Sequence, residues 1–261
     1  MIGVSESLNK DAADEGRAAE SLQLSMRQYF SSDMLSSAAK LAELARQIED
    51  AHSDGPRFDL NHRAYVLSSI LSAVGFLEAM INELFQDAYD DSAPDRRAIT
   101  PSTITPLSSN TRHLMAEYWR AIDLGARKRA LDKYQALLTF AGQPVMDEGR
   151  QPYQDASLAI LLRNAIAHYR PQDLSPDEPA KMEQSLRPRN FAENRLMEES
   201  GYPWWPDKCL GWGCADWSLR AVVALADHVV DAVDARPDYM EHRATGWLGN
   251  VPGAPSKGGG K

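Results

Sequence analysis

Ala64-Tyr65-Val66-Leu67-Ser68-Ser69-Ile70-Leu71-Ser72-Ala73-Val74-Gly75-Phe76-Leu77-Glu78-Ala79-Met80-Ile81-Asn82-Glu83-Leu84-Phe85 is the stretch on which the fold turns. Leu67, Ile70, Leu71, Val74, Leu77, Ile81, Leu84 and Phe85 recur with a sustained period near 3.6, the mark of a helix with one face on a core. The pattern predicts a long helix over about 61–89. Upstream, Leu35, Ala38, Leu41, Ala42, Ala45 and Ile48 repeat at the same spacing behind Asp33, a plausible N-cap, and the residues from His52 to Pro56 break the helix. Downstream, Pro94, Pro101 and Pro106 make 90–106 a loop. Helical segments follow over 111–124 and 127–140, interrupted by Gly125, and a further one over 153–169 after the loop carrying Gly142, Pro144 and Gly149. Residues 171–216 read as a long irregular insertion, with Pro171, Pro176, Pro179, Pro188, Pro203, Trp204, Trp205, Pro206 and Trp212. A structureless stretch of that length within a domain is usually functional or partly disordered. Leu219, Val222, Val223, Leu225, Ala226, Val229, Val230 and Val233 mark a last amphipathic helix over 216–235. No strand-like alternation and no repeat occurs, so the expected fold is all-α. The expected organisation is an acidic arm over 1–25, one helical domain over 26–247, and a glycine-rich tail over 248–261.

The 261 residues suffice for a real core, and 43% apolar and 25% charged residues are ordinary globular values. The net charge of -9 is more informative, because a protein gripping nucleic acid over a broad surface is usually basic. Any RNA contact must then come from a local cluster. Two cysteines, Cys209 and Cys214, are too few for a disulfide framework and suit a reducing compartment; a zinc site would need further ligands. The first residues carry no apolar signal-peptide core, and no run approaches the roughly 18 apolar residues of a membrane span. The expectation is a cytoplasmic protein without a membrane partner.

Leu161-Leu162-Arg163-Asn164-Ala165-Ile166-Ala167-His168-Tyr169-Arg170-Pro171 carries the chemistry. It sets an arginine, an amide and a histidine into an apolar helical segment that Pro171 must end. A guanidinium can hold a phosphate through its planar fork of donors, and an imidazole can move a proton near neutral pH. Asn164 and His168 are four apart and share a helix face. Arg163 lies five from His168, about 140° round the helix. It can therefore reach the same substrate through its length, or a second copy of the chain completes the site. Glu78, among Val74, Leu77 and Ile81, is costly on a core face unless paired. Its candidate partners are Arg163 and His168, with Asn82 one turn further along; the bland reading places Glu78 at the edge of the stripe, in solvent.

The Arg-Asn-x-x-x-His arrangement, stopped at once by a proline, resembles the active-site motif of HEPN (higher eukaryotes and prokaryotes nucleotide-binding) domains. The stretches 64–70 and 76–85 also look like the early helix of such domains. The resemblance implies a helical bundle that commonly forms a homodimer, with the Arg and His of two protomers facing a shared cleft. It implies a metal-independent endoribonuclease of a toxin–antitoxin or defence system, without a cofactor or metal, with RNA as substrate and an antitoxin or activator as a further partner. Arg163 would bind the scissile phosphate. His168 would act as general base on the ribose 2′-hydroxyl or as acid toward the leaving oxygen. Asn164 would orient the histidine or the substrate, Glu78 would support the catalytic group, and Tyr169, Arg170 and Asn82 would contact substrate. Family toxins silenced by a nucleotidyltransferase carry a tyrosine two residues after the histidine. Here Arg170 stands in that place and Tyr169 is adjacent to His168, which argues against that form of silencing.

Trp204, Trp205, Trp212 and Trp217 could stack bases, although packing of the insertion onto the core explains them more simply. Arg127-Lys128-Arg129 and Arg187-Pro188-Arg189 are local basic spots that could steer RNA, or solvated surface. His62, His113 and His242 have no partner legible in the sequence. No glycine-rich phosphate loop, zinc-protease pair or nucleophile elbow is present. Two other functional classes fit the same residues. One is a non-catalytic HEPN-like module that binds a nucleotide or a protein; the other is a structural bundle in which Arg163 serves an internal ion pair.

Overall fold

The computed structural model describes residues 28–93, 100–171 and 179–244. Among these the chain is helical without a strand, which is the all-α class expected. The arm over 1–25, the tail over 248–261, Pro94 and Pro176 lie outside the described residues.

Helices α1 (Ser31–Asp50) and α2 (Leu60–Asp91) fold back on one another. They are followed by α3 (Ser109–Ala121), α4 (Ala130–Phe140) and α5 (Tyr153–Ala167), then the short α6 (Lys181–Leu186), α7 (Trp212–Val233) and α8 (Asp238–Ala244). Helix α2 is the axis of the molecule, and α1, α3, α4, α5 and α7 all pack on it. Ile70, Val74, Leu77, Ile81, Leu84 and Phe85 are buried as the stripe predicts, and so are Val66, Ala73, Phe76 and Met80 on its other sides. Of the stripe, Leu67 is half-buried and Leu71 is 40% exposed, which marks an open side. This helix corrects one expectation, since it holds an 18-residue window of mean hydropathy 1.7 and is long and apolar enough to cross a membrane. Half of that window is buried inside the protein, and the core helix of a globular bundle reaches the same apolar content.

The helix ends differ from the sequence reading where caps come from distant residues. Asp33 does not cap α1; it lies exposed in the first turn. Glu83 of α2 does the work, its Oε1 accepting the N–H groups of Phe30 and Ser31 at 2.8 and 3.0 Å and its Oε2 the Ser31 hydroxyl at 2.6 Å. Local caps are also present: Asp59 accepts the His62 N–H at 3.0 Å, and Ser108 accepts that of Thr111 at 3.1 Å. Between α3 and α4, Asp123, Leu124 and Gly125 take φ values of 58°, 49° and 91°. That left-handed turn ends α3 at Ala121 and delays α4 to Ala130, so both are shorter than predicted.

The 171–216 stretch is more ordered than a loop, although 172–178 lie outside the described residues. It carries α6, single turns at Arg187–Arg189, Arg195–Met197 and Trp204–Lys208, and the start of α7 at Trp212 rather than at Asp216. Trp204, Trp205, Cys209 and Leu210 are buried with Val66 and Ile70 of α2 and Leu158 and Leu162 of α5, forming a second, smaller core. Glu49, with no exposed surface, fastens this layer. Its Oε1 lies 2.7 Å from both His62 Nε2 and the Trp212 N–H, and its Oε2 accepts the Arg195 N–H at 3.2 Å. Helix α8 was not foreseen; its Tyr239 is buried edge-on against Phe76, centroids 5.1 Å apart.

Candidate functional site

Helix α5 buries Ala156, Leu158, Ala159 and Leu162 toward α2 and α7, and this apolar face fixes which side of the motif turns inward. The helix stops at Ala167, two residues before the predicted end. His168 is the C-cap at φ -115° and ψ 32°, its N–H still donating to the Asn164 carbonyl at 2.9 Å. Asn164 and His168 are both exposed, as four-residue spacing requires, and Tyr169 and Arg170 lie exposed just beyond the helix. Arg163 turns the other way. Its Nη2 donates to Glu78 Oε1 of α2, and the pair is an ion pair across the two helices. The Glu78 side chain is 38% exposed, so it stands at the edge of the stripe and is paired as well. Arg163, at 25%, is more enclosed, and its Nε is buried with no acceptor.

Glu78 begins a polar row on α2 that continues through Asn82, Gln86 and Asp90, each four residues on, so all share one face. Each of the first three meets a different helix. Glu78 holds Arg163 of α5, Asn82 Oδ1 accepts Lys133 Nζ of α4 at 2.7 Å, and Gln86 Oε1 accepts Trp119 Nε1 of α3 at 2.9 Å. Asn82, expected to face substrate beside Arg163, thus has its amide oxygen engaged by Lys133. That lysine was missed in the sequence. It is 5% exposed, and its ammonium also lies 5.2 Å from the centre of the Trp119 ring. Burial holds it below the usual lysine range, while the nearby Glu78 carboxylate acts in the opposite direction. A lysine four residues before the buried Leu137 on α4 was the available signal.

The other candidates are largely occupied. Arg127 lies 3.7 Å from Asp123, Arg129 3.2 Å from Asp132, Arg187 2.7 Å from Glu183 and Arg189 2.8 Å from Asp155. Trp204 and Trp205 are buried, with Trp204 Nε1 donating to Glu193 at 2.6 Å, so neither presents a stacking face. Cys209 and Cys214 are free buried thiols, and burial pushes the Cys209 thiol well above its ordinary value. Among the described residues no group of three or more His, Cys, Asp or Glu gathers as a metal site.

A cleft of about 600 Å³ opens where α1 ends and α2 begins, against Leu44, Ile48, Tyr65, Arg57 and Asp59. Tyr65 and Glu78 are separated by about 20 Å along α2 at ~1.5 Å per residue. No residue of the motif lines that cleft, so the residues fit for chemistry and this hollow do not coincide. No family model, curated protein or solved structure matches this chain. The HEPN resemblance therefore stands on the motif and the residues around it.

Proposed function

We propose that the protein is a HEPN-like, metal-independent RNA endonuclease of a toxin–antitoxin or defence system, acting in the cytoplasm as a homodimer. One observation carries the reading: a single helix end presents an exposed Asn164 and His168 beside an Arg163 anchored to an inter-helix carboxylate, Glu78. In this reading Arg163 binds the scissile phosphate and Asn164 orients substrate. The ribose 2′ oxygen attacks phosphorus and the bond to the 5′ oxygen breaks. His168 takes the 2′ proton, or gives one to the departing 5′ oxygen. The exposed Tyr169 and Arg170 extend the contact surface. The products end in a 2′,3′-cyclic phosphate or its hydrolysis product, because the nucleophile belongs to the RNA itself. An antitoxin or activator protein is the natural partner of such an activity.

A second reading is favoured by the occupation of Arg163, whose guanidinium is spent on Glu78 within the chain. On that reading the domain is a non-catalytic HEPN-like module that binds a nucleotide or a partner protein, and the ion pair is structural. Expression in growing cells separates the two. The nuclease reading expects toxicity from the parent and none from His168→Ala at equal protein level. Equal growth behaviour of toxic parent and His168→Ala would favour the binding module. A structural ion pair predicts further that Arg163→Ala lowers the melting temperature strongly with no activity to lose.

A further inference from the structure

We propose that Lys133 is a positioning residue for the Arg163 site: it provides Glu78 with a second cation, so that Arg163 can leave its ion pair and take a phosphate. This rests on the reading of Arg163 as the phosphate ligand.

The reasoning starts from charge. An arginine paired with a carboxylate is neutral as a unit, and a neutral unit has little attraction for a phosphodiester in a protein whose net charge is -9. For Arg163 to turn outward, Glu78 must be left behind, and a half-enclosed carboxylate without a counter-charge is costly. Lys133 removes that obstacle. Its ammonium is held by Asn82, one turn after Glu78 on the same face of α2, and the Glu78 carboxylate, with which it forms no direct ion pair, acts against the effect of burial on its charge. With Lys133 counted, Arg163, Glu78 and Lys133 carry one net positive charge.

The lysine is fixed rather than free. Trp119 of α3 lies under its ammonium at 5.2 Å, and the left-handed turn at Gly125 closes over it, with no room there for a side chain. A buried ammonium keeps three donors, and among the described residues one is taken, by Asn82 Oδ1. Arg163, for its part, is incompletely satisfied where it stands, because its Nε is buried without an acceptor. Both features favour exchange: Arg163 gains acceptors by turning to phosphate, and Glu78 keeps a cation when it does.

The test uses the full chain and a fluorescent single-stranded RNA made of 2′-O-methyl nucleotides, which lacks the internal nucleophile and so reports binding alone. Binding is followed by anisotropy over a range of salt. Lys133→Met removes both charge and hydrogen bond. Lys133→Gln keeps a donor for Asn82 and removes the charge, and Lys133→Arg restores the charge. The expected result is affinity weakened about tenfold in both the Met and Gln variants, within the range of couplings between groups that act through one another. The dependence on salt should also flatten, with recovery in Lys133→Arg and melting temperatures close to the parent in the Gln variant. Parent-like binding by Lys133→Gln, alongside lost binding by Arg163→Gln, would overturn the role of Lys133 and leave the phosphate reading intact. Unchanged binding by Arg163→Gln, or no binding by the parent, would remove the phosphate reading and the role of Lys133 with it.

Discussion

Glu49 accepts three hydrogen bonds with no exposed surface, whereas Glu78 keeps 38% of its side chain exposed and makes one ion pair. The first arrangement is a fastening and the second is a movable contact. Glu49→Ala would strand the His62 ring and the Trp212 and Arg195 N–H groups in the interior. Breaking a buried polar arrangement of this kind costs about 3–5 kcal/mol. Urea denaturation should show a loss of that size; a change below ~1 kcal/mol would mean that the second core holds without the carboxylate. Glu78 was legible because it interrupts an apolar stripe at helical spacing, and its pairing with Arg163 was one of the two expected. Glu49 was not legible, since its partners lie 13, 146 and 163 residues away and no local pattern marks it. Lys133 was overlooked for a related reason: its burial depends on Asn82, 51 residues upstream, and on the Trp119 ring.

Among the elements, the strongly periodic helices were readable and their ends were not. The stripe of α7 is buried at every position from Leu219 to Val233 named in the sequence, because an amphipathic repeat and its burial are the same fact. Its true start at Trp212 depends on the Glu49 carboxylate, which accepts the Trp212 N–H, and α1 likewise starts where Glu83 caps it. The α3–α4 turn is the clearest case of local chemistry setting a boundary. Gly125 has φ 91°, and a Cβ there would run into the Trp119 ring. Gly125→Ala should therefore destabilise by about 1–3 kcal/mol from the backbone conformation, with the displaced ring adding to that. Thermal melts would check it, and an unchanged midpoint would show that the turn relaxes freely. Because the same turn covers Lys133, this variant should also disturb the Glu78–Arg163 region.

At the level of the whole molecule, the polar row on α2 ties α3, α4 and α5 to the central helix, and the motif sits at the end of one of them. With a net charge of -9, the RNA contact that the proposed function needs would have to come from a local basic cluster. Arg163 faces inward while Asn164 and His168 face out, so one copy does not bring the arginine and histidine onto one side of α5. The proposed nuclease meets that demand by pairing two copies, and sedimentation equilibrium of the full chain should give twice the 29.0 kDa chain mass. A strict monomer at micromolar concentration would contradict the shared cleft, while the release of Arg163 from Glu78 is required in either case. The all-α class and the position of the motif were legible; the second core was not, because it is assembled by contacts between distant parts of the chain. The most direct measurement is cleavage of total and synthetic RNA in EDTA by the parent and by His168→Ala. Cleavage by the parent, reduced about 10²–10⁴-fold in a folded His168→Ala, is the predicted result. Equal cleavage by both proteins, or none by a folded dimeric parent, would contradict it.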